Sequence, residues 1–263
     1  WGVHGDSEGR IAAFDRSRAR LLVFGPDGEV TGARSLGGYG IPQPMEYLPA
    51  EDGFYLAAMN VFTPGGEEPP EGRFRPPEPV VRVSGDAADT VTIAAGQELF
   101  NNAGGFGFSI FGPTTALAAA DGGLWIGDTA TPEVRRVDPD GRTTLVVRWT
   151  GGEDRTMTQQ RMDALLEAAM ELVPAEDREA ARERMAETLP LPDSIPAYQH
   201  LVVGEDGVLW IGSYLGPDVP DIPPDLAKEW LLVAPDGVPV GRVRTPRRFH
   251  MFDAGSGWVL GRQ

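Results

Sequence analysis

The chain has 263 residues, of which 41% are hydrophobic and 24% are charged, as in ordinary folded proteins. Its 39 acidic and 23 basic side chains give a formal net charge of −16, which argues against nucleic acid and anionic membrane surfaces as partners. Cysteine is absent, which excludes disulfides, thiolate metal sites and cysteine nucleophiles, and no apolar run is long enough to predict a direct membrane span.

Two turn signatures alternate along the chain. In the first, Pro-Asp-Gly lies between two apolar segments, at 23–30, 137–143 and 233–239. In the second, Asp-Gly or a related pair precedes an apolar run, at 7–15, 51–60, 120–128, 205–213 and 255–261. Proline presets the first turn angle, aspartate caps the turn, and glycine takes the positive φ that a tight hairpin requires. The alternation therefore predicts two hairpins, and so four strands, in each repeated unit.

The units follow one another in chain order at about 3–36, 43–95, 113–150 and 197–245, and a fifth begins at Phe249 with two strands. Four-stranded units of about 40 to 50 residues are typical of a β-propeller. A β-sandwich also has short strands at regular spacing, but the alternation of two matched hairpins favours the propeller. We therefore predict an all-β fold, with residues 1–263 forming a single β-propeller domain.

A proline-rich stretch interrupts the second unit. Residues 61–79 contain six prolines, which predicts a long exposed loop between the second and third strands of the unit. Residues 216–230 occupy the matching place in the fourth unit. Loops of this kind are often functional, although mobile linkers have the same composition.

Residues 154–189 break the β pattern. Apolar residues recur there at helical spacing, and Pro174 begins a second helical stretch, so we predict an inserted αα-hairpin. Two interpretations of its apolar stripes stay open. The stripes pack on the propeller rim, or the hairpin covers the channel mouth or binds a protein partner through Met162, Leu166, Met170 and Met185.

The order of the motifs resembles that of a group of bacterial six-bladed β-propeller proteins. The resemblance runs over about residues 10–263 and is carried by WIGDTATPEVRRVDPDGRTTLVVRW, the helical insert, LPLPDSIPAYQHLVVGEDGVLWIGSY and the final VRTPRRFHMF. The hairpins are more distantly similar to those of NHL-repeat and gluconolactonase-like propellers. The resemblance implies six blades, of which four and a half are visible, so we expect the domain to be incomplete at both ends. It also implies a periplasmic, envelope-associated or extracellular location.

Alignment of the units brings a set of polar residues to one mouth of the predicted channel. The candidate metal ligands are Glu46, Asn60, Asp128, His200 and His250, with Thr115 and His4 at or near equivalent positions. Oxygen donors suit Ca²⁺, whereas imidazoles suit a transition metal such as zinc. The resemblance to gluconolactonase-like propellers implies a central Ca²⁺ that polarises an ester carbonyl. The alternative is that these side chains are structural, because a polar channel mouth also suits histidine and aspartate without a metal.

The sequence contains no GxSxG, HExxH or GxxxxGK[ST] motif, and we predict no catalytic residue. The leading hypothesis is a non-enzymatic scaffold that binds a protein partner, or assembles into a larger complex, through the helical insert or the long loops. The alternative is a metal-dependent lactonase or hydrolase, using Ca²⁺ or zinc at the channel mouth. A receptor for a small ligand is a third possibility.

Overall fold

The computed structural model describes residues 2–5, 9–39, 44–50, 53–58, 69–85, 87–102, 105–109, 111–150, 154–170, 173–188, 192–215, 227–246 and 249–262. The strands of the first half are β1 (Gly2–Gly5), β2 (Ile11–Asp15), β3 (Arg20–Phe24), β4 (Val30–Ser35), β5 (Pro44–Ala50), β6 (Gly53–Ala58), β7 (Gly72–Phe74), β8 (Pro77–Ser84), β9 (Ala87–Ala95), β10 (Leu99–Asn102) and β11 (Gly105–Phe108). Those of the second half are β12 (Thr115–Ala120), β13 (Gly123–Asp128), β14 (Glu133–Val137), β15 (Thr143–Arg148), β16 (His200–Val203), β17 (Leu209–Gly212), β18 (Ala227–Val233), β19 (Pro239–Pro246), β20 (His250–Gly255) and β21 (Trp258–Arg262).

Five antiparallel sheets correspond to the predicted units. Their strand orders are β1-β2-β3-β4, β5-β6-β8-β9, β12-β13-β14-β15, β16-β17-β18-β19 and β20-β21, and we call them blades one to five. The first strands of successive blades contact one another: β1 with β5, β5 with β12, β12 with β16, and β16 with β20. The blades are therefore arranged side by side with their first strands innermost, around a common channel. This confirms the prediction of an all-β propeller with an inserted helical hairpin.

The hydrophobic core lies in layers between adjacent blades, because alternate residues of a strand point to opposite faces of its sheet. On β6, Phe54 packs in the layer shared with blade one, whereas Tyr55 packs in the layer shared with blade three. On β13, Ile126 faces blade two and Trp125 faces blade four, and Trp210 of β17 lies in the layer between blades four and five. Each large side chain so buried contributes about 1.5–3 kcal/mol to folding.

The predicted Pro-Asp-Gly turns connect the two outer strands of blades one, three and four. Their glycines have φ of +83° at Gly28, +82° at Gly141 and +88° at Gly237, a region that glycine enters without steric cost. Asp27 Oδ1 accepts a hydrogen bond from the Glu29 backbone N–H at 3.2 Å, which closes the first of these turns.

The stretch predicted as a loop over 61–79 also contains strands. Residues 61–68 lie outside the described residues, but β7 lies within the stretch and β8 begins at Pro77. Pro77 is the first residue of its strand, a place where proline is tolerated. A further sheet of order β11-β10-β7 joins β7, which lies between β6 and β8 in the chain, to β10 and β11, which follow β9; we did not predict this sheet. Of residues 216–230, the last four begin β18 and the others lie outside the described residues.

The inserted hairpin contains α1 (Gln159–Met170) and α2 (Arg178–Thr188). An ion pair joins the two helices, with Arg182 Nη2 at 2.6 Å from Glu167 Oε1. Of the residues predicted to bind a partner, Met162 and Met170 are only 5% and 2% exposed. Leu166 is half-buried, and the Met185 side chain lies outside the described residues. The stripe on α1 is therefore packed away from solvent at both ends, and partner binding through it stays a prediction.

Candidate functional site at the channel mouth

Four residues occupy equivalent places on the innermost strands of blades two to five. They are Glu46, Thr115, His200 and His250. Each lies at or near the start of its strand, opposite the end of the second strand: Glu46 pairs with Ala57, and Thr115 pairs with Asp128. The four therefore surround the same end of the channel, which we call the mouth. His4 lies on β1, and its side chain is outside the described part of the structure.

Blade two contributes two carboxyl groups to the mouth. Glu46 is exposed, yet the surrounding protein displaces much of the water near its carboxyl, and this desolvation raises its pKa to about 7. Glu78, on β8, is only 9% exposed. Burial, and next the negative charge of Glu46, raise the pKa of Glu78 to about 8, although the Arg75 guanidinium acts in the opposite direction. The negative charge of Glu46 therefore makes ionisation of Glu78 less favourable.

Arg75 joins blade two to blade three beside this pair. Its Nε donates to the Gly96 carbonyl at 2.8 Å, and its Nη2 donates to the Ala95 carbonyl at 2.8 Å. Its Nη1 lies 2.7 Å from Asp128 Oδ2. The second carboxylate oxygen of Asp128 accepts the Ala130 N–H at 3.0 Å. All three nitrogens of Arg75 and both oxygens of Asp128 are thus engaged in structural contacts.

The predicted metal site stays a prediction, because the described residues include only part of the predicted ligand set. Asn60 lies outside the described residues, and each oxygen of Asp128 already accepts a hydrogen bond. Imidazoles such as those of His200 and His250 are poor ligands for Ca²⁺, which takes oxygen donors. Among the described residues, no group of three or more histidine, aspartate or glutamate side chains is placed to hold a metal ion. The described donors therefore do not fit a central Ca²⁺ of the gluconolactonase type.

A buried lysine lies on the opposite side of the mouth, near the two histidines. Lys228, on β18, is only 6% exposed, and its Nζ lies 4.9 Å from the centroid of the Trp230 ring. Gly212 makes room for it, since a Cβ at that position would lie 2.9 Å from Lys228 Cε. His200 is exposed at the start of β16, yet the surrounding protein displaces much of the water near its imidazole; this desolvation, and next the charges of Lys228 and His250, lower its pKa to about 3.

Sequence reasoning missed Glu78 and Lys228. Glu78 lies in the stretch 61–79, which the sequence predicts to be a loop, and Lys228 lies in the matching stretch 216–230 of the fourth unit. The only available signals were that Lys228 is the single lysine of the chain and that Glu78 precedes an apolar strand. Neither signal indicates that the side chain is buried near the mouth.

The helical insert is attached at the same mouth. It follows the last strand of blade three and precedes β16, and its two ends pair with each other through Thr156 and Ser194. Arg155 Nη1 donates to the Ala130 carbonyl at 3.0 Å, and the Ala197 N–H donates to the Thr129 carbonyl at 2.7 Å. Because residues 129 and 130 directly follow Asp128, the base of the insert lies beside the mouth.

The first strands of successive four-stranded sheets contact one another around one channel, which is the arrangement of a propeller. The chain is a β-propeller. No helix in the described part of this propeller is both long and apolar enough to cross a membrane.

No protein-family model matches the sequence, and no curated protein matches it. Among solved structures, the propeller is similar to a member of the DUF4221 family from Bacteroides vulgatus, with 10% identity and a TM-score of 0.46 over 93% of this chain and 67% of that chain. It is also similar to a candidate exported protein from Bacteroides fragilis, with 12% identity and a TM-score of 0.44 over 93% of this chain and 57% of that chain. Virginiamycin B lyase from Staphylococcus aureus gives 12% identity and a TM-score of 0.37 over 94% of this chain and 70% of that chain. The propeller thus spans less than two thirds of the length of the Bacteroides fragilis protein.

Proposed function

We propose that this propeller is a non-enzymatic scaffold that binds a protein partner at the mouth of its channel, in the periplasm, the cell envelope or the extracellular space. The observation that carries the proposal is the position of the additions to the fold. The base of the helical insert, Arg75 and the four residues at the mouth all lie at one end of the channel. The opposite end carries the short turns at Gly28, Gly141 and Gly237.

The partner would contact the polar outer side of the insert. Gln160, Asp163 and Glu167 of α1 are exposed, whereas Met162 and Met170 are buried. A protein that binds the insert would therefore contact amide and carboxylate groups. Such groups increase the specificity and the rate of association more than they increase the affinity, which suits a scaffold that recognises one complementary surface.

The base of the insert holds this surface in a fixed place. The backbone N–H of Ile195 donates to the Arg155 carbonyl at 2.8 Å, and the Met157 N–H donates to the Asp193 carbonyl at 3.1 Å. Next to it, the Tyr198 ring is fully buried, and its hydroxyl donates to the Glu133 carbonyl at 3.1 Å. A preorganised surface loses less conformational entropy when it binds.

Site-specific photo-cross-linking in cells tests this proposal. A photoreactive amino acid is placed at Gln160 or Glu183 on the insert, and at Asp140 or Asp236 in the turns of the opposite end as matched controls; all four positions are exposed. We expect discrete cross-linked proteins that are shared by the two insert positions and missing from the two turn positions. Identical products at all four positions, or none at any, would contradict the proposal.

A metal-dependent hydrolase is not our proposal for this site. Its predicted ligand Asp128 is oriented by Arg75 and by the Ala130 N–H, and no second candidate ligand of the described residues contacts it.

A further inference from the structure

The sheet of order β11-β10-β7, which we call the additional sheet, has a free edge at β11. This strand pairs with β10 along one side, from Asn102 opposite Gly105 to Leu99 opposite Phe108. No strand of the described residues pairs with its other side. The backbone N–H and C=O groups of a free edge can pair with a further strand, so natural proteins protect such edges with charged residues, prolines or bulges. The sequence of β11 is GFGF, and its pairing with β10 contains no bulge.

The outermost strands of the blades are protected in the usual way. Each carries at least one charged residue: Arg34 on β4, Asp89 on β9, Arg148 on β15, Arg242 on β19 and Arg262 on β21. At the other edge of the additional sheet, β7 carries Arg73 and is soon followed by two prolines. Among these described edge strands, β11 alone contains neither a charged residue nor a proline. An edge without this protection is able to accept another strand.

The side chains beside this edge are apolar and exposed. Phe106 and Phe108 point to the same face of the sheet and are 42% and 45% exposed. Phe74 of β7 lies on that face too, because both Phe74 and Phe108 pair with Leu99. The ring centroids of Phe74 and Phe106 lie 6.1 Å apart, and Leu99 is fully buried. The exposed part of this phenylalanine patch therefore lies on β11, next to the free edge.

The opposite face of β11 is closed by packing. A Cβ at Gly107 would lie 2.9 Å from Cζ of Phe100, which is only 8% exposed. Glycine is therefore required at this position so that β11 can lie against the Phe100 ring. A strand added at the edge would have its main apolar contacts on the other face, with Phe106 and Phe108.

We propose that β11 accepts a short extended segment of the protein partner as a further strand of the additional sheet. This inference rests on the proposed function, because it names the conformation and the chemistry of the partner segment. The backbone of the segment would bond to the free edge, and apolar side chains at every second position would cover Phe106 and Phe108. Basic residues beside the apolar ones would complement the net charge of −16.

The additional sheet and the helical insert are attached to the same turn at the mouth. Phe74 directly precedes Arg75, whose Nη1 lies 2.7 Å from Asp128 Oδ2. The carbonyl of Ala130, two residues further on, accepts the hydrogen bond from Arg155 at the base of the insert. One partner is therefore expected to contact both additions. A second copy of this chain is a poorer occupant of the edge, because two copies of net charge −16 repel each other.

The test uses the whole chain, isotope-labelled for NMR, and two synthetic peptides as probes. The first is acetyl-KVTVTVK-amide, which has valine at every second position and a lysine at each end. The second, acetyl-KVPVPVK-amide, keeps the valines and the charges but lacks two backbone N–H donors. The variants are Phe106→Ser and Phe108→Ser, with Phe252→Ser as a matched control that removes an exposed phenyl ring from β20. Circular dichroism confirms that each variant is folded.

We expect the first peptide to shift the amide signals of Gly105–Phe108 and to slow their hydrogen exchange. The proline peptide should bind at least about tenfold more weakly. Either Phe106→Ser or Phe108→Ser should weaken the first peptide by about tenfold, whereas Phe252→Ser should leave its binding unchanged.

The inference is overturned if the first peptide does not bind, if the two peptides bind alike, or if the shifted amides lie outside β11. It is equally overturned if Phe106→Ser and Phe108→Ser bind the peptide like Phe252→Ser. Sedimentation that shows dimers of the chain, dissociated by Phe106→Ser, would assign the edge to a second copy and would also refute the inference.

A photoreactive amino acid at Phe106 connects this inference to the proposed function. We expect it to give cross-linked proteins that also appear from Gln160 on the insert. Products from Gln160 without any from Phe106 would refute the strand site and leave the scaffold proposal standing.

Discussion

Replacing Glu78 by glutamine should change how the stability of the propeller depends on pH. In the folded state, the pKa of the Glu78 carboxyl is raised from its ordinary value of 4.5 to about 8. The folded protein therefore holds this proton at pH values where the unfolded chain has lost it. The resulting stabilisation is complete below about pH 4.5 and is lost as the pH rises toward 8. Glutamine is neutral at every pH, so the variant should lack this dependence.

The size of the effect follows from the shift. At about 1.4 kcal/mol for each tenfold change in the proton equilibrium, a rise from 4.5 to about 8 corresponds to at most about 5 kcal/mol. Glu78 is 9% exposed, so little screening by bulk water reduces this limit. Glu46 contributes in the same direction, but its exposure to channel water reduces its share of the free energy.

The assay is urea unfolding followed by tryptophan fluorescence at pH 5, 6, 7 and 8.5. Between pH 5 and pH 8.5, the free energy of unfolding of the wild type should fall by more than that of Glu78→Gln. The variant Glu205→Gln is the control for the general effect of removing one negative charge. We expect Glu78→Gln to be more stable than the wild type at pH 8.5 and close to it at pH 5. Parallel pH profiles for the wild type and Glu78→Gln, or a variant less stable at pH 8.5, would refute the reasoning.

Three further predictions follow from contacts elsewhere in the structure. Arg75→Ala should lower the free energy of unfolding by about 2–3 kcal/mol in urea titration, since it removes three hydrogen bonds, and Arg75→Lys should recover only part of the loss. Gly127→Ala should lower the free energy of unfolding by about 1–3 kcal/mol and lower the melting temperature, because the added Cβ would lie 1.9 Å from Tyr198 Oη. Gly241→Ala is the control, since its Cβ would meet open space, and it should leave the melting temperature nearly unchanged. Arg155→Ala should speed amide hydrogen exchange at the base of the insert and leave exchange in blade one unchanged. Unchanged exchange at the base of the insert would show that Arg155 does not hold the insert in place.

Most of the fold could be predicted from local sequence, because turns and strand alternation are local properties. The positive φ at Gly28, Gly141 and Gly237 is the feature that Pro-Asp-Gly encodes, and it fixed the outer hairpins of three blades. The helical spacing around Met162 and Met170 likewise located the insert, and the burial of both residues fits that periodicity.

The sheet formed by β7, β10 and β11 could not be predicted in this way. Its strands come from both sides of β8 and β9, so their pairing depends on contacts distant in sequence. The prolines around Phe74 predict a loop, whereas Phe74 lies in a strand and pairs with Leu99. Composition alone does not distinguish a loop from a short strand that finds a partner elsewhere.

The candidate site was predicted in part. Strand register placed Glu46, Thr115, His200 and His250 at equivalent positions, and the structure brings them to one mouth. The partners of these residues come from third strands and connections, where small differences in loop length change what reaches the channel. Asp128 shows the consequence, because Arg75, from a connection in another blade, binds the carboxylate that the sequence suggested for a metal.

A crystal structure of the whole chain gives the most direct test of the account. We expect strands β5, β12, β16 and β20 to surround one channel, with Glu46, Thr115, His200 and His250 at one mouth and the base of the helical insert beside them. Strands stacked as two facing sheets, or an insert attached at the end that carries the turns at Gly28, Gly141 and Gly237, would contradict it.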